Sequence, residues 1–301
     1  MDAKTKLQNQ KDKVKKKKTC AEQYKFAFNT LANIHNKIFI ELDFDDIIDE
    51  IIKANKGAES NRKIKIMLRM MYEYAFDKKI IDENPTLSKF AWVNVNTKNS
   101  EEKKHRYWTQ EELNRIFTSK NNKYVVDIIK FLLHTGLRVN EFYNLKVSNI
   151  KLKYDKYYII DVPAELSKTK HGRIIPIHRD ILEIVKCRIN DPNRKTEYLF
   201  ETPSGVQFKD SNFRHAYFFP IMSCLKIENA LPHDTRVTFK SKMDELEVSE
   251  RYVEYFLGHT NDSNMSILYN ATINSNTNKN ESSLATLDKA MNKLHFRNIY
   301  E

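Results

Sequence analysis

Apolar residues recur at helical spacing through most of the chain, in stretches separated by short polar breaks. In the N-terminal third this spacing predicts helices at 21–36, 43–54 and 59–77. Farther along the chain it predicts helices at 123–135, 181–189, 212–225, 234–246, 249–257 and 284–294. Because only 5 glycines and 7 prolines occur in 301 residues, few turns interrupt these patterns, which favours a mainly helical fold.

Two short stretches depart from the helical pattern. Residues 156–162 and 173–177 are rich in β-branched and aromatic side chains and flank a turn at 170–172, so they predict a hairpin. Thr109 and Glu112 form a capping box that starts a helix, and Gly136 ends the helix at 123–135. Pro220 is expected to break or kink the helix at 212–225. The predicted fold class is therefore mainly α with a small β-sheet.

Changes in composition divide the chain into four parts. Residues 1–18 end in a lysine block and predict a basic tail, which either follows a DNA backbone or is simply solvated. Residues 19–93 predict a small helical domain. Residues 94–106 are polar and charged, which indicates a linker, although an ordinary surface loop has the same composition. Residues 107–301 predict the larger domain.

Charge narrows the choice of partner. The formal net charge is +11, and the lysines are spread along the whole chain. A basic balance of this kind favours polyanions, nucleic acid first and an anionic membrane second. A generically basic surface without a specific partner is the alternative.

Cysteine usage and the N-terminus bear on location. The three cysteines, at 20, 187 and 224, are widely spaced, which argues against a disulfide framework or a zinc site and favours a reducing cytosol. The lysine-rich N-terminus has no apolar signal segment, and no apolar run is long enough to span a bilayer. We therefore expect a cytoplasmic protein with no membrane partner.

The candidate chemistry lies near the C-terminus, where His233, Arg236, His259 and Tyr269 occur within about forty residues. These side chains suit phosphoryl chemistry without a metal, because Arg binds phosphate oxygens, His moves protons and Tyr attacks. Each also has a simpler interpretation: a histidine at a helix start, a surface arginine, a histidine at a helix end and a core tyrosine.

Phosphoryl transfer usually needs more than one cation, and two upstream residues are candidates. Arg138 follows the turn at Gly136, and Glu141, three residues on, is placed to hold its guanidinium group. A surface Arg–Glu pair is the alternative. Lys168, in the predicted hairpin, is placed to protonate a leaving oxygen, and Lys170 competes for that role.

Five motifs together, in this order and spacing, resemble the tyrosine recombinases, the phage-integrase family. They are Thr135–Glu141, Ser167–Arg173, His233–Arg236, Leu257–His259 and Tyr269. The likeness spans about residues 107–275. It implies that 107–301 is the catalytic domain and that 19–93 is the family's helical core-site DNA-binding domain.

The resemblance implies a role for each motif residue. Arg138 and Arg236 match the arginines that clamp the scissile phosphate, and Glu141 matches the acid that supports the first of them. Lys168 matches the hairpin lysine, the general acid for the 5′ oxygen. The remaining matches are His233 as the proton-handling histidine, His259 as a donor to a non-bridging oxygen, and Tyr269 as the nucleophile.

The implied activity is site-specific DNA recombination through a 3′-phosphotyrosyl intermediate, with no metal or cofactor, for integration or excision of a mobile element. The implied partners are double-stranded DNA, a homo-tetramer on two recombination sites, and accessory DNA-bending or directionality proteins, and the implied location is at the nucleoid. The helix at 284–294 is expected to pack on a neighbouring protomer. A type IB topoisomerase and a non-catalytic DNA-binding protein of the same fold are the alternatives.

Overall fold

The computed structural model describes residues 24–37, 44–54, 57–84, 105–259 and 278–296, together with single residues 22 and 41. The chain divides into two compact units, one within residues 1–102 and the other within 103–301. The predicted basic tail, residues 94–104 of the predicted linker and Tyr269 lie outside the described residues. Among the described helices, none combines the length and the apolar character that crossing a bilayer requires.

The N-terminal unit is helical, as its apolar spacing predicts. Helix α1 covers 24–30, and a short 3₁₀ turn follows at Ala32–Ile34. Helices α2, Phe44–Ala54, and α3, Ala58–Asp77, complete the described part. Their apolar faces meet in one cluster whose buried members include Ala27, Leu31, Ile47, Ile51, Ile64 and Leu68.

The second unit consists of helices around a small sheet. Its helices are α4 Gln110–Thr118, α5 Lys123–Thr135, α6 Val139–Tyr143, α7 Arg179–Ile189, α8 210–224, α9 Asp234–Glu245, α10 Glu250–Leu257 and α11 Asn278–Met291. Helix α5 is buried along most of its length and contacts both α7 and α9. The capping box is present, since Thr109 Oγ1 accepts the Glu112 N–H at 3.3 Å and Glu112 Oε2 accepts the Thr109 N–H at 2.9 Å.

The sheet has three antiparallel strands in the order β1-β2-β3, at Ile150–Lys153, Tyr157–Val162 and Arg173–Pro176. Ile160 lies opposite Ile150 on one side and Ile175 on the other. Strands β2 and β3 form the predicted hairpin. Strand β1 was not predicted, because its four mostly exposed residues are too few to establish a period of two.

Pro220 is expected to break or kink its helix, and of these two outcomes the break does not occur. Helix α8 continues through Pro220 to Cys224, but the six residues Phe213–Phe218 before it adopt a π-helical turn. A proline ring crowds the carbonyl group four residues earlier. The wider π turn relieves that crowding, so the helix is distorted instead of ended.

The C-terminal helix packs on its own unit, and the expected contact of residues 284–294 with a neighbouring protomer stays a prediction. Leu287, Met291 and Leu294 are buried in the main core of this unit, and Leu284 packs beside β2 and β3. Helix α11 begins at Asn278, six residues before the predicted start, and ends at Met291. The predicted fold class, mainly α with a small β-sheet, is confirmed.

Candidate active site

The C-terminal end of α10 gathers guanidinium groups from three separate elements. Nε of Arg173, on β3, donates to the Phe256 carbonyl oxygen at 2.8 Å. Nη2 of Arg236, on α9, donates to the next carbonyl oxygen, that of Leu257, at 2.6 Å. Nη2 of Arg138, just before α6, donates to the carbonyl oxygen of Gly258 at 3.4 Å. A helix C-terminus carries partial negative charge, which offsets the repulsion among the three cations.

Glycine is required at this helix end. Gly258 has φ +64°, a left-handed conformation that side chains disfavour. A Cβ atom there would lie 2.8 Å from Nη1 of Arg173. The αL residue therefore ends the helix and leaves room for a guanidinium group against its backbone.

Glu141 neutralises one of the three cations. Its side chain is 1% exposed, and it binds Nη1 and Nη2 of Arg173 at 3.1 and 2.7 Å. It also accepts the backbone N–H of Arg138 at 2.9 Å and Nη1 of Arg138 at 3.2 Å. Burial alone raises the pKa of this carboxyl, but the hydrogen bonds and charges of Arg173, then Arg138, outweigh burial and lower it. Glu141 is therefore an anion that aligns both arginines.

Arg236 is buried, at 5% exposure. Its Nη1 donates to the carbonyl oxygen of Gly136 at 2.7 Å, so it binds the ends of both α5 and α10. Burial, followed by the charges of Arg138 and Arg173, lowers the pKa of Arg236 to about 9. The group therefore remains charged at neutral pH.

His259 contacts Arg236 directly. Nη2 of Arg236 lies 2.9 Å from Nε2 of His259, and because a guanidinium group only donates, this Nε2 is the acceptor. The proton of the neutral ring is then on Nδ1, which donates to Oε2 of Glu254 at 2.6 Å. Sequence reasoning missed Glu254, whose only signal is its position five residues before His259, near the end of the same predicted helix.

His233 occupies the N-cap position of α9, one helical turn before Arg236. Its ring is half-buried and lies 4.7 Å, centroid to centroid, from the ring of His105. Burial, followed by His105 and Arg236, lowers the pKa of His233 to about 4. At neutral pH this imidazole is uncharged and has a free lone pair for accepting a proton.

Lys168 lies in the turn between β2 and β3, with its side chain exposed. Within the described residues its ammonium group has no hydrogen-bond or ion-pair partner. The next residue anchors the turn, since Thr169 Oγ1 donates to the Gly258 carbonyl oxygen at 3.4 Å. Lys170 is also exposed and has φ +63°. The turn that carries both lysines is thus bound to the helix end that binds the arginines. Lys168 and Lys170 both remain candidates for the general acid.

Tyr255, which precedes His259, has a structural role instead of a catalytic one. Its phenol oxygen accepts the N–H of Ile174 at 3.0 Å, and burial raises its pKa to about 12. A buried phenol with a raised pKa is a poor nucleophile. Tyr269, the predicted nucleophile, lies outside the described residues, so the structure gives it no position.

Away from this site, one cluster in the described part of the chain brings possible metal ligands together. His134, His178 and Asp180 place one nitrogen or oxygen atom each within 4.8 Å of the others. However, Nδ1 of His178 already accepts the N–H of Asp180 at 3.0 Å, and Nδ1 of His134 lies 2.8 Å from the Lys130 carbonyl oxygen. These bonds make His178 the N-cap of α7, so the cluster has a structural explanation.

Comparison with known proteins bears on the family to which the chain belongs. The model of the Phage integrase family matches residues 106–275, more than half of the chain. A tyrosine recombinase from Agathobacter rectalis is 29% identical over 138 residues, covering 44% of this chain and 43% of that relative. The chain thus spans less than half the length of this relative. A tyrosine recombinase from Pseudothermotoga lettingae is 26% identical over 244 residues, covering 78% and 79% of the two chains.

A solved structure shows the same fold. It is the XerH site-specific recombinase bound to palindromic difH substrate in a post-cleavage complex, with a TM-score of 0.62 and 17% sequence identity. The match covers 81% of this chain and 74% of that chain. The family resemblance predicted from the five motifs is confirmed, and the chain belongs to the phage integrase family.

Proposed function

We propose that this protein is a site-specific DNA recombinase that cuts and rejoins double-stranded DNA through a 3′-phosphotyrosyl intermediate. The observation that carries the proposal is the helix end that collects Arg138, Arg173 and Arg236. Glu141 offsets only one of these charges. A partly buried site with surplus positive charge favours an anion, and a DNA phosphate has the required charge and oxygen geometry.

The exposures of the arginines support separate roles. The Arg138 side chain is 19% exposed, whereas that of Arg173 is 2% exposed and bound on both sides of its fork to Glu141. Arg173 therefore holds the carboxylate in place, while Arg138 binds the phosphate oxygens together with Arg236, which is assigned to this role by its motif match. Their charges stabilise the transition state, in which negative charge develops on those oxygens.

Proton transfer falls to the histidines and the hairpin lysine. The neutral ring of His233 accepts the proton of the attacking tyrosine, and Lys168 donates one to the leaving 5′ oxygen. His259 binds a non-bridging oxygen of the phosphate beside Arg236, whose Nη2 lies 2.9 Å from its Nε2. Glu254, 2.6 Å from Nδ1, fixes the orientation of the His259 ring.

Tyr269 is proposed as the nucleophile on the order and spacing of the sequence motifs. A free phenol has a pKa of about 10, so attack at neutral pH requires nearby positive charge. Arg138 and Arg236 supply that charge. The phosphotyrosyl bond retains the energy of the phosphodiester, so strands are rejoined without ATP.

The proposed assembly extends beyond one chain. Residues 107–301 form the catalytic domain and 19–93 a core-site DNA-binding domain, joined by the linker at 94–106. The net charge of +11 supports binding to the duplex through phosphates, with an affinity that falls with salt. The active form is a homo-tetramer on two recombination sites, assisted by accessory DNA-bending or directionality proteins. The biological reaction is integration or excision of a mobile element.

The decisive experiment traps the covalent intermediate. Duplexes that bind the protein are selected from a random library, nicked to make suicide substrates, and incubated with the protein. We expect an SDS-resistant adduct with the wild type and none with Tyr269→Phe, which still binds the duplex. The matched control Tyr252→Phe should trap DNA like the wild type. Trapping by Tyr269→Phe would refute the nucleophile assignment, and no adduct with the wild type would refute the proposed function.

A second measurement separates recombination from topoisomerase activity. A plasmid carrying two copies of the selected site should yield recombinant products. Relaxation of supercoils that is independent of the sites, without recombinants, would instead identify a type IB topoisomerase.

A further inference from the structure

His105 lies beside the turn that carries His233. Its Nδ1 donates to Oδ1 of Asp234 at 3.0 Å, since a carboxylate only accepts. Asp234 is fully buried, and its other oxygen accepts the N–H of Leu231 at 2.7 Å. The two oxygens of one carboxylate therefore close the turn at 231–234 and fasten it to His105.

The same imidazole also packs on His233. The two ring centroids are 4.7 Å apart, with an interplanar angle of 58°. His105 thus contacts both the predicted proton-handling residue and the carboxylate next to it. A side chain with both contacts is placed to restrict where the His233 ring lies.

The residues that follow His105 are hydrogen-bonded to other parts of the second unit. The next residue, Arg106, binds both carboxylate oxygens of Glu112 at 2.7 and 2.8 Å and the carbonyl oxygen of Glu228 at 2.9 Å. Two residues further on, the Trp108 N–H donates to Thr238 Oγ1 on α9 at 2.9 Å. These contacts attach the start of the second unit to α4, to the segment before α9 and to α9 itself.

We propose that His105 is a positioning residue that sets the orientation and proton affinity of His233 through its hydrogen bond to Asp234 and its ring contact. The catalytic consequence rests on the proposed function, whereas the coupling between the two histidines does not. The sequence pattern gave no sign of this role, because His105 falls within the polar stretch predicted as a linker.

The charges around His233 give the direction of the effect. The groups that act on it are His105, Asp234, Arg236 and Arg138. Removing the His105 ring admits water to His233 and leaves Asp234 without one partner, so its negative charge acts more strongly on the neighbouring ring. Both changes raise the pKa of His233 toward its usual value near 6.5.

The first test needs no DNA. Imidazole nitrogen NMR follows the titration of His233, with the signal assigned through His233→Gln. We expect His105→Ala to raise the pKa of His233. His105→Asn, whose amide places an N–H where Nδ1 was, should raise it less. His215→Ala, the exposed-histidine control on α8, should leave it unchanged. An unchanged titration of His233 in His105→Ala would overturn the proposal.

The second test uses single-turnover cleavage of the suicide substrate. We expect His105→Ala to slow cleavage roughly tenfold to a hundredfold, as displaced catalytic groups do, with DNA affinity unchanged and much of the rate restored in His105→Asn. Unchanged cleavage, or equal loss in both variants, would overturn the positioning role. If the wild type forms no adduct, the proposed function fails, while the NMR titration still decides whether His105 controls His233.

Discussion

Glu141 binds the guanidinium group of Arg173 through two hydrogen bonds, at 2.7 and 3.1 Å, and both side chains are almost completely buried. The buried pair contacts the more exposed Arg138, because Glu141 also binds the guanidinium group of Arg138. Because the carboxylate's charge is matched by Arg173, the positive charges of Arg138 and Arg236 remain available to a ligand. The site is therefore built to keep two arginines charged, close together and unneutralised.

Glu141→Gln tests the stabilising part of this arrangement. The variant leaves the buried charge of Arg173 uncompensated, and breaking a buried ion pair in this way costs about 3–5 kcal/mol. Urea denaturation should show a loss of this size in the free energy of unfolding. Glu183→Gln, which breaks the exposed pair with Lys186, should cost less than about 1 kcal/mol. Similar losses in both variants would contradict the structural role of Glu141.

Arg236→Lys tests the clamp, because it keeps the charge and most of the volume but loses the planar fork. Lysine cannot reach Gly136, Leu257 and a phosphate together. We expect the single-turnover cleavage rate to fall by roughly 10²–10³, as when one oxyanion donor is removed, with DNA affinity nearly unchanged. Arg214→Lys, in an exposed pair with Asp210, serves as the control. Equal loss of cleavage and binding would make Arg236 a binding residue only.

The choice between Lys168 and Lys170 is open to a chemical test. Loss of a general acid slows cleavage by about 10²–10⁴. A substrate with sulfur at the bridging 5′ position does not need that acid, because a thiolate leaves without protonation. We expect Lys168→Ala to cleave the oxygen substrate slowly and the sulfur substrate at the wild-type rate, with Lys170→Ala nearly normal on both. The reverse pattern would assign the role to Lys170.

We expect part of the loss of folding stability at acid pH to come from His178. Burial, followed by the nearby His134, lowers the pKa of His178 to about 4. An unfolded histidine titrates near 6.5, so between these values the unfolded chain binds an extra proton. The stability from the neutral ring is complete above pH 6.5 and declines as the pH falls to 4, by up to about 3 kcal/mol.

His178→Asn tests that assignment, because asparagine preserves an N-cap acceptor for the Asp180 N–H and does not titrate. The free energy of unfolding, measured from pH 7.5 to 4.5, should decline less steeply in the variant. His233 contributes acid sensitivity of the same sign to both proteins, so the difference between the curves isolates His178. Parallel curves would contradict the assignment.

Local sequence pattern was sufficient to predict most of the secondary-structure elements and the family. The helices, the hairpin and the ends at Thr109 and Gly136 follow from apolar period and cap residues, which act over a few neighbours. The same pattern placed Arg138 next to Glu141, because residues three apart meet at a helix start. Local spacing failed where a distant group decides the outcome, as with the short edge strand β1, whose pairing with β2 defines it.

Only the folded chain shows how the cations are accommodated. Arg138, Arg173 and Arg236 are far apart in sequence, and three consecutive carbonyl groups at the end of α10 bring them together. The burial of Arg173, the support of His259 by Glu254 and the contact of His105 with His233 likewise depend on packing between elements. The spacing of residues in the sequence does not predict such contacts, because charge and burial depend on distances that only the tertiary fold sets.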